Sequence, residues 1–170
     1  NARGSRAPQT DEEMGDGFLL EHGFTLLWLG WQFDVPLGGG RVRVFPPIAT
    51  DNGTPITGLV RSEVIVSEVA YDRSLADRNH QAYEVADPSN PANVMTVRNT
   101  VDGERRVVPR DRWRFARRTD SGEIVTDRTR VYLEGGFQPH RLYDVVYVAQ
   151  DPPLVGLGPA AVRDTISHLK

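Results

Sequence analysis

A pair of glycines near the end of the sequence could form a loop that binds a phosphate through its backbone amides. Gly156-Leu157-Gly158, with Ala161 three residues later, matches the looser dinucleotide fingerprint G-x-G-x-x-G/A. Pro159 lies inside this match and removes one of the amides that would face a phosphate. No second strand with an acidic end follows. We therefore predict no dinucleotide cofactor here and interpret the stretch as a turn that leads into a helix.

The other candidate chemical groups indicate neither a metal site nor a nucleophile in this chain. The sequence lacks cysteine, H-E-x-x-H and G-x-S-x-G, and its histidines have no partner at metal-ligand spacing. The stretch Asp51-Asn52-Gly53 lacks the spaced acidic ligands of a calcium loop and is typical of a hairpin turn. We predict no metal and no cofactor. The four histidines are His22, His80, His140 and His168.

Aromatic and basic residues suggest further sites, each with a plainer alternative. The tryptophans Trp28, Trp31 and Trp113 could line a carbohydrate site, or they could pack in the core and at a strand end. The arginines of residues 105–118 are interleaved with acidic residues, and the whole chain of 170 residues has a formal net charge of -3. We therefore expect a solvated strand surface and no nucleic-acid partner.

The composition is that of a globular protein, with 39% hydrophobic and 25% charged residues. No apolar run approaches the roughly 18 residues that span a bilayer, so we predict no membrane span. We expect a soluble protein and leave its compartment open between the cytoplasm and export.

The first elements of the chain favour a parallel sheet. A short helix could begin at Thr10 or at Asp16, and Gly23 would end it. The apolar run FTLLWLGW at residues 24–31 follows directly and has the length of a strand buried on both faces. Helix, glycine and buried strand together form half of a βαβ unit.

The middle of the chain has a different pattern. Turn signals recur from residue 34 to residue 139 between short runs rich in β-branched residues, and Val64 and Val66 alternate with polar neighbours. This spacing predicts a sandwich-like β module. A further strand follows at residues 141–149, and residues 159–170 form a helix with Val162, Ile166 and Leu169 as its apolar stripe.

Five stretches of the sequence together resemble the N-terminal portion of a bacterial family of α/β-hydrolase-domain proteins, and the resemblance covers nearly the whole chain. They are GDGFLLEHGFTLLWLGWQFDVP (15–36), IATDNGTPITGLVRSE (48–63), VVPR (107–110) with WRF (113–115), LEGGFQPHRLYDVVYVAQDPPLVGLG (133–158) and AAVRDTISHLK (160–170).

The resemblance implies an α/β fold in which sheet-and-helix elements of the hydrolase core carry a large β-rich, sandwich-like insertion. Residues 1–33 would hold the oxyanion loop, a helix and a buried strand, residues 34–149 the insertion, and residues 150–170 a helix leading toward the nucleophile strand. Arg3 and Gly4 would be backbone oxyanion-hole candidates, and Trp31 and Gln32 would lie in the substrate cleft.

The implied function is a segment of a serine hydrolase that acts on an ester-like small molecule. No catalytic residue falls in this chain, so the remaining C-terminal part of the hydrolase would supply the triad and bury Trp28, Leu29 and the stripe of the last helix. The alternative hypothesis is a non-catalytic, β-rich module that binds a carbohydrate or a protein.

Overall fold

The computed structural model describes residue 10 and residues 15–38, 41–78 and 80–170. Its first helix, α1, spans Phe18–Glu21. The Asp16 carboxylate accepts a hydrogen bond from the Phe18 N–H at 3.3 Å, so this helix begins beside the later of the two predicted starts. Residues 11–14, which follow the earlier predicted start at Thr10, lie outside the described residues. Gly23 ends the helix with φ at 78°, in the left-handed region that favours glycine.

The remaining elements are mostly short strands, followed by one long helix. The strands are β1 (Thr50–Asp51), β2 (Thr54–Pro55), β3 (Thr57–Ile65), β4 (Ala70–Ser74), β5 (Val94–Arg98), β6 (Arg106–Val107), β7 (Trp113–Arg114), β8 (Ala116–Arg118), β9 (Ile124–Thr126), β10 (Arg130–Phe137) and β11 (Leu142–Gln150). A 3-10 turn at Arg110–Arg112 precedes β7, and the helix α2 spans Leu157–Leu169.

The described strands form two larger sheets and two small hairpins. The larger sheets have the strand orders β3-β11-β5-β6 and β4-β10-β7. The hairpin of β1 and β2 turns at Asn52 and Gly53, which both have positive φ, as a tight two-residue turn requires. The other hairpin joins β8 to β9. Every pairing between the described strands is antiparallel.

One buried core receives side chains from both larger sheets. Along β11 alternate residues face inward, so that Tyr143, Val145 and Tyr147 are at most 3% exposed. From the other sheet, Phe137 meets Tyr143 edge to face with ring centroids 4.9 Å apart. The predicted alternation along β3 is also present, and its buried residues include Val64. The inward faces of β10 and β11 therefore hold the sheets together.

The prediction of an α/β fold is wrong. The described chain is β-rich with antiparallel sheets and two helices of 4 and 13 residues, rather than a parallel sheet with crossover helices. Residues 24–31 form no strand, and the exposed fractions of Phe24, Leu27 and Trp31 are 58%, 58% and 53%. The apolar run was misinterpreted because a strand also needs a hydrogen-bonding neighbour. In the described chain, the backbone hydrogen bond nearest to the end of this run lies one residue beyond it, where the Val44 N–H donates to the Gln32 carbonyl at 3.1 Å.

One glycine of the GLG stretch, Gly158, has a packing role at the start of α2. A Cβ atom placed on Gly158 would lie 1.9 Å from the carbonyl oxygen of Trp31, well inside van der Waals contact. The helix can therefore approach the Trp31 backbone only because residue 158 has no side chain. At Gly156, where φ is -65°, an added Cβ would meet nothing within 4 Å.

We expect Gly158→Ala to lower the free energy of unfolding by about 1–3 kcal/mol, the usual cost of overpacking. Alanine normally stabilises a helix relative to glycine, so the sign of this change identifies the contact with Trp31. Urea denaturation measures it. The matched control, Gly156→Ala, should change stability by less than about 1 kcal/mol. Equal stability of Gly158→Ala and the unaltered chain would contradict the close approach.

Candidate functional site

A groove of about 770 Å³ lies beside β3, and we call it the β3 groove. One wall is β3 and the residues that follow it, and the other is the end of β4 with the turn after it. The lining residues are Arg61, Ser62, Glu63, Val64, Ile65, Val66, Ser67, Arg73, Ser74, Leu75, Ala76, Asp77, Arg78 and Arg130.

The groove lies where both larger sheets have an edge. The strand β3 pairs with β11 through all nine of its residues, from Thr57 to Ile65, and is the last strand of its sheet. The strand β4 is likewise the last of the other sheet. No described backbone group outside the sheet bonds to β3. Its outer backbone groups are therefore available to a further strand.

Arginines dominate the charge of the β3 groove. Its lining contains four arginines against two acidic residues. Arg130 is held by Asp72, and Arg78 lies 3.7 Å from Asp77. Most of this positive charge is thus already paired within the protein.

Arg73 is the exception among these arginines. Its Nε atom is buried and has no hydrogen-bond partner in the described chain, and no described acid pairs with its guanidinium. Arg73 lies directly opposite Val131 in the β4–β10 ladder, so both side chains are on the inner face of the sheet. Because Val131 is fully buried, this face is the core side, and Arg73 extends along it toward the groove. Arg73 is half-buried, and a buried N–H without a partner costs free energy, so this position favours an anionic partner from outside.

The fourth arginine of the groove, Arg61, belongs to an ion network on the outer face of the β3-β11-β5 sheet. Its Nε and Nη2 atoms donate to Asp144 Oδ1 at 2.9 and 2.6 Å, and Arg105 Nε donates to Oδ2 at 3.2 Å. Arg98 Nε lies 3.5 Å from Oδ2, an ion contact without hydrogen-bond geometry. Glu63 accepts from Arg61 and Arg98 at 3.1 and 3.2 Å. The carboxylate of Asp144 thus contacts three arginines.

The three arginines determine the charge state of Asp144, which is only 3% exposed. Burial by itself raises the pKa of the carboxyl. Hydrogen bonds from Arg61 and Arg105, with the charges of Arg61 and Arg98, outweigh the burial and hold the pKa below its ordinary value of 3.8. Asp144 therefore remains a carboxylate and cannot serve as a proton donor near neutral pH.

The residues that the sequence singled out do not come together in the β3 groove. Trp31 and Gln32 are absent from its lining, and Gln32 is tied through its carbonyl to the segment of Val44. Arg3 and Gly4 lie outside the described residues. Of the tryptophans, Trp113 is buried in the core and Trp31 is half exposed. The predicted cleft residues thus have no demonstrated site.

The histidines and acidic residues of the described chain form no metal site. No group of three or more potential ligands is close enough to hold an ion. His80 Nδ1 lies 2.7 Å from Asp34 Oδ2, and His22 Nδ1 lies 2.9 Å from the carbonyl of Phe18. The Nδ1 atoms of these two histidines therefore each have a local partner.

The sequence interpretation missed Arg73 and the Asp144 network. A signal for the network existed, because Asp144 interrupts the otherwise apolar first part of β11, LYDVV. An acid in such a strand needs a cation on the neighbouring strands. No sequence pattern pointed to Arg73, whose importance depends on which strand lies beside it.

Comparisons with protein-family models, with curated proteins and with solved structures find no match for this chain. Among the described helices, none has the length and apolar character needed to cross a bilayer. The hydrolase hypothesis therefore remains a prediction, as does the burial of Trp28, Leu29 and the α2 stripe by another part of a hydrolase. The parallel sheet on which that hypothesis relied is wrong.

We expect Asp144→Asn to lower the free energy of unfolding by about 3 kcal/mol, because three arginines lose the carboxylate between them. The folded-state pKa of Asp144 is lowered, so its stabilisation is complete above the ordinary value of 3.8 and is lost as the pH falls through the folded-state pKa. Urea denaturation at neutral and acidic pH should therefore show a weaker acid destabilisation in the variant.

The matched control is Asp111→Asn, because Asp111 is exposed and has no described ion pair. It should leave both the stability and its acid dependence nearly unchanged. If Asp144→Asn behaves like this control, the network does not contribute to folding.

Proposed function

We propose that this chain is a binding module that receives an extended, acidic segment of another protein in the β3 groove. The segment adds a strand to the edge of β3 and places a carboxylate near Arg73. The observation that carries the proposal is the coincidence in one groove of an unpaired sheet edge with a half-buried arginine whose buried Nε has no hydrogen-bond partner.

The backbone of β3 supports the strand-addition mode. Its nine residues are long enough to pair with a short extended segment along one side. Natural sheets usually protect such edges with charges, bulges or very short strands. Here Leu59 and Ile65 present exposed apolar side chains near the two ends of the edge, with exposed fractions of 68% and 61%. An added strand would cover these side chains as well as the backbone groups.

The charge of the groove supports an acidic segment. Although the formal net charge of the whole chain is -3, the groove itself has more arginines than acids, and local charge decides recognition within a few ångströms. The planar guanidinium of Arg73 can hold a carboxylate by two parallel hydrogen bonds. Ser62, which is 6% exposed, and Ser74 add hydroxyls to the same lining.

We expect a labelled nine-residue peptide of alternating valine and glutamate to bind, as measured by fluorescence anisotropy. The same peptide with glutamine in place of glutamate should bind about tenfold more weakly, since a charge-assisted hydrogen bond contributes about 1.5–3 kcal/mol. Arg73→Gln should lower the affinity for the acidic peptide by a similar factor. Arg141→Gln should leave this affinity unchanged, because Arg141 is exposed and lies outside the groove.

Two N-methylated peptides test the strand-addition mode separately from charge. Methyl groups on the odd residues of one peptide and on the even residues of the other block opposite edges of the added strand. We expect one of the pair to lose binding and the other to retain it, because a strand pairs with β3 through alternate residues. Equal binding of the two methylated peptides, or of the acidic and neutral peptides, would contradict the proposal.

A further inference from the structure

A second cavity, of about 260 Å³, lies apart from the β3 groove and shares no lining residue with it. We call it the Phe33–Tyr83 pocket after the two aromatic residues in its wall. Its other lining residues include Ile48, Glu84, Asp151 and Pro153. This volume is slightly below the range of about 300–1,000 Å³ for drug-sized ligands, so it suits a smaller molecule.

Backbone hydrogen bonds hold the walls of this pocket in place. The N–H of Gln81 donates to the Asp34 carbonyl at 2.8 Å, and the N–H of Gln150 donates to the Glu84 carbonyl at 3.0 Å. Ile48 forms a bridge with Pro153, shortly after the end of β11. Three segments, around Phe33, Ile48 and Tyr83, thus build the pocket together with the end of β11.

Aromatic and apolar side chains form much of the surface of the pocket. The ring centroids of Phe33 and Tyr83 lie 6.1 Å apart, with an angle of 43° between the planes. Ile48 and Pro153 add aliphatic surface. Aromatic walls of this kind bind apolar groups and attract cations to their faces.

The charge of the pocket is wholly negative. Glu84 and Asp151 line it, and neither carboxylate has an ion pair or hydrogen-bond partner in the described chain. No arginine, lysine or histidine is among the lining residues. Arg43 donates to Gln81 Oε1 at 3.1 Å but is not itself part of the lining. Both carboxylates are exposed, so the pocket carries two accessible negative charges and no basic residue in its lining.

We propose that the Phe33–Tyr83 pocket binds a small organic ammonium compound. The alkyl groups of the ligand contact Phe33 and Tyr83, and its positive charge is balanced by Glu84 and Asp151. A neutral sugar would use the amides and aromatic rings but would leave the two carboxylates without a counter-charge. This site does not depend on peptide binding in the β3 groove.

The probe is choline, compared with 3,3-dimethylbutan-1-ol, its neutral isostere, in titrations followed by amide NMR shifts and calorimetry. We expect choline to shift the amides of Tyr83 and Gln150 and to bind at least about tenfold more tightly than the alcohol. Glu84→Gln and Asp151→Asn should each reduce choline affinity several-fold. Asparagine tolerates the positive φ of 55° at position 151, so this exchange preserves the backbone.

Glu104→Gln is the matched control, because Glu104 is an exposed carboxylate outside the pocket. It should leave choline affinity unchanged. Thermal unfolding of each variant checks that the fold is retained, as expected for changes at exposed side chains. Equal affinity for choline and the alcohol, an equal effect of all three carboxylate variants, or shifts confined to other residues would overturn the proposal.

Discussion

The structure depends on the two-sided pairing of the strand β11. This strand bonds to β3 along nine residues and to β5 along five, so it fixes the register of its sheet on both sides. Because successive side chains of β11 point to opposite faces of the sheet, this register determines which residues enter the core and which lie on the other face. Tyr143, Val145 and Tyr147 enter the core, while Asp144 on the opposite face collects Arg61, Arg98 and Arg105 from the neighbouring segments. A slip of one residue would turn Asp144 toward the apolar core and the tyrosines away from it.

The two candidate sites follow from where this sheet ends. On one side β3 has no described strand beyond it, so its edge and the edge of β4 border the β3 groove. At the end of β11 the chain leaves the sheet at Asp151, which has a positive φ, and the Phe33–Tyr83 pocket lies against this point. The arginines of the first site and the carboxylates of the second give them opposite charges, so they favour different ligands.

Local patterns predicted several elements well. The strand predicted at residues 141–149 is β11, the hairpin turn lies at Asn52 and Gly53, and the last helix is α2. These elements are encoded by alternation, turn residues and helical periodicity within a few positions of each other. The same reasoning was wrong for residues 24–31, because an apolar run carries no information about whether a partner strand lies beside it. The parallel sheet and α/β class inferred from that run were wrong for the same reason.

The sequence by itself determined the alternating strands, the turns and the amphipathic helix, because each depends on neighbours along the chain. Only the tertiary structure decided which strand became a sheet edge, which arginines surround Asp144, and that the Nε atom of Arg73 is buried without a hydrogen-bond partner in the described chain. Gly158 shows the difference at one residue. The sequence predicted a turn into a helix at this glycine, but only the structure shows that Gly158 lets the helix approach the carbonyl of Trp31, 127 positions earlier in the chain. Contacts between distant segments leave no periodic trace in a single sequence.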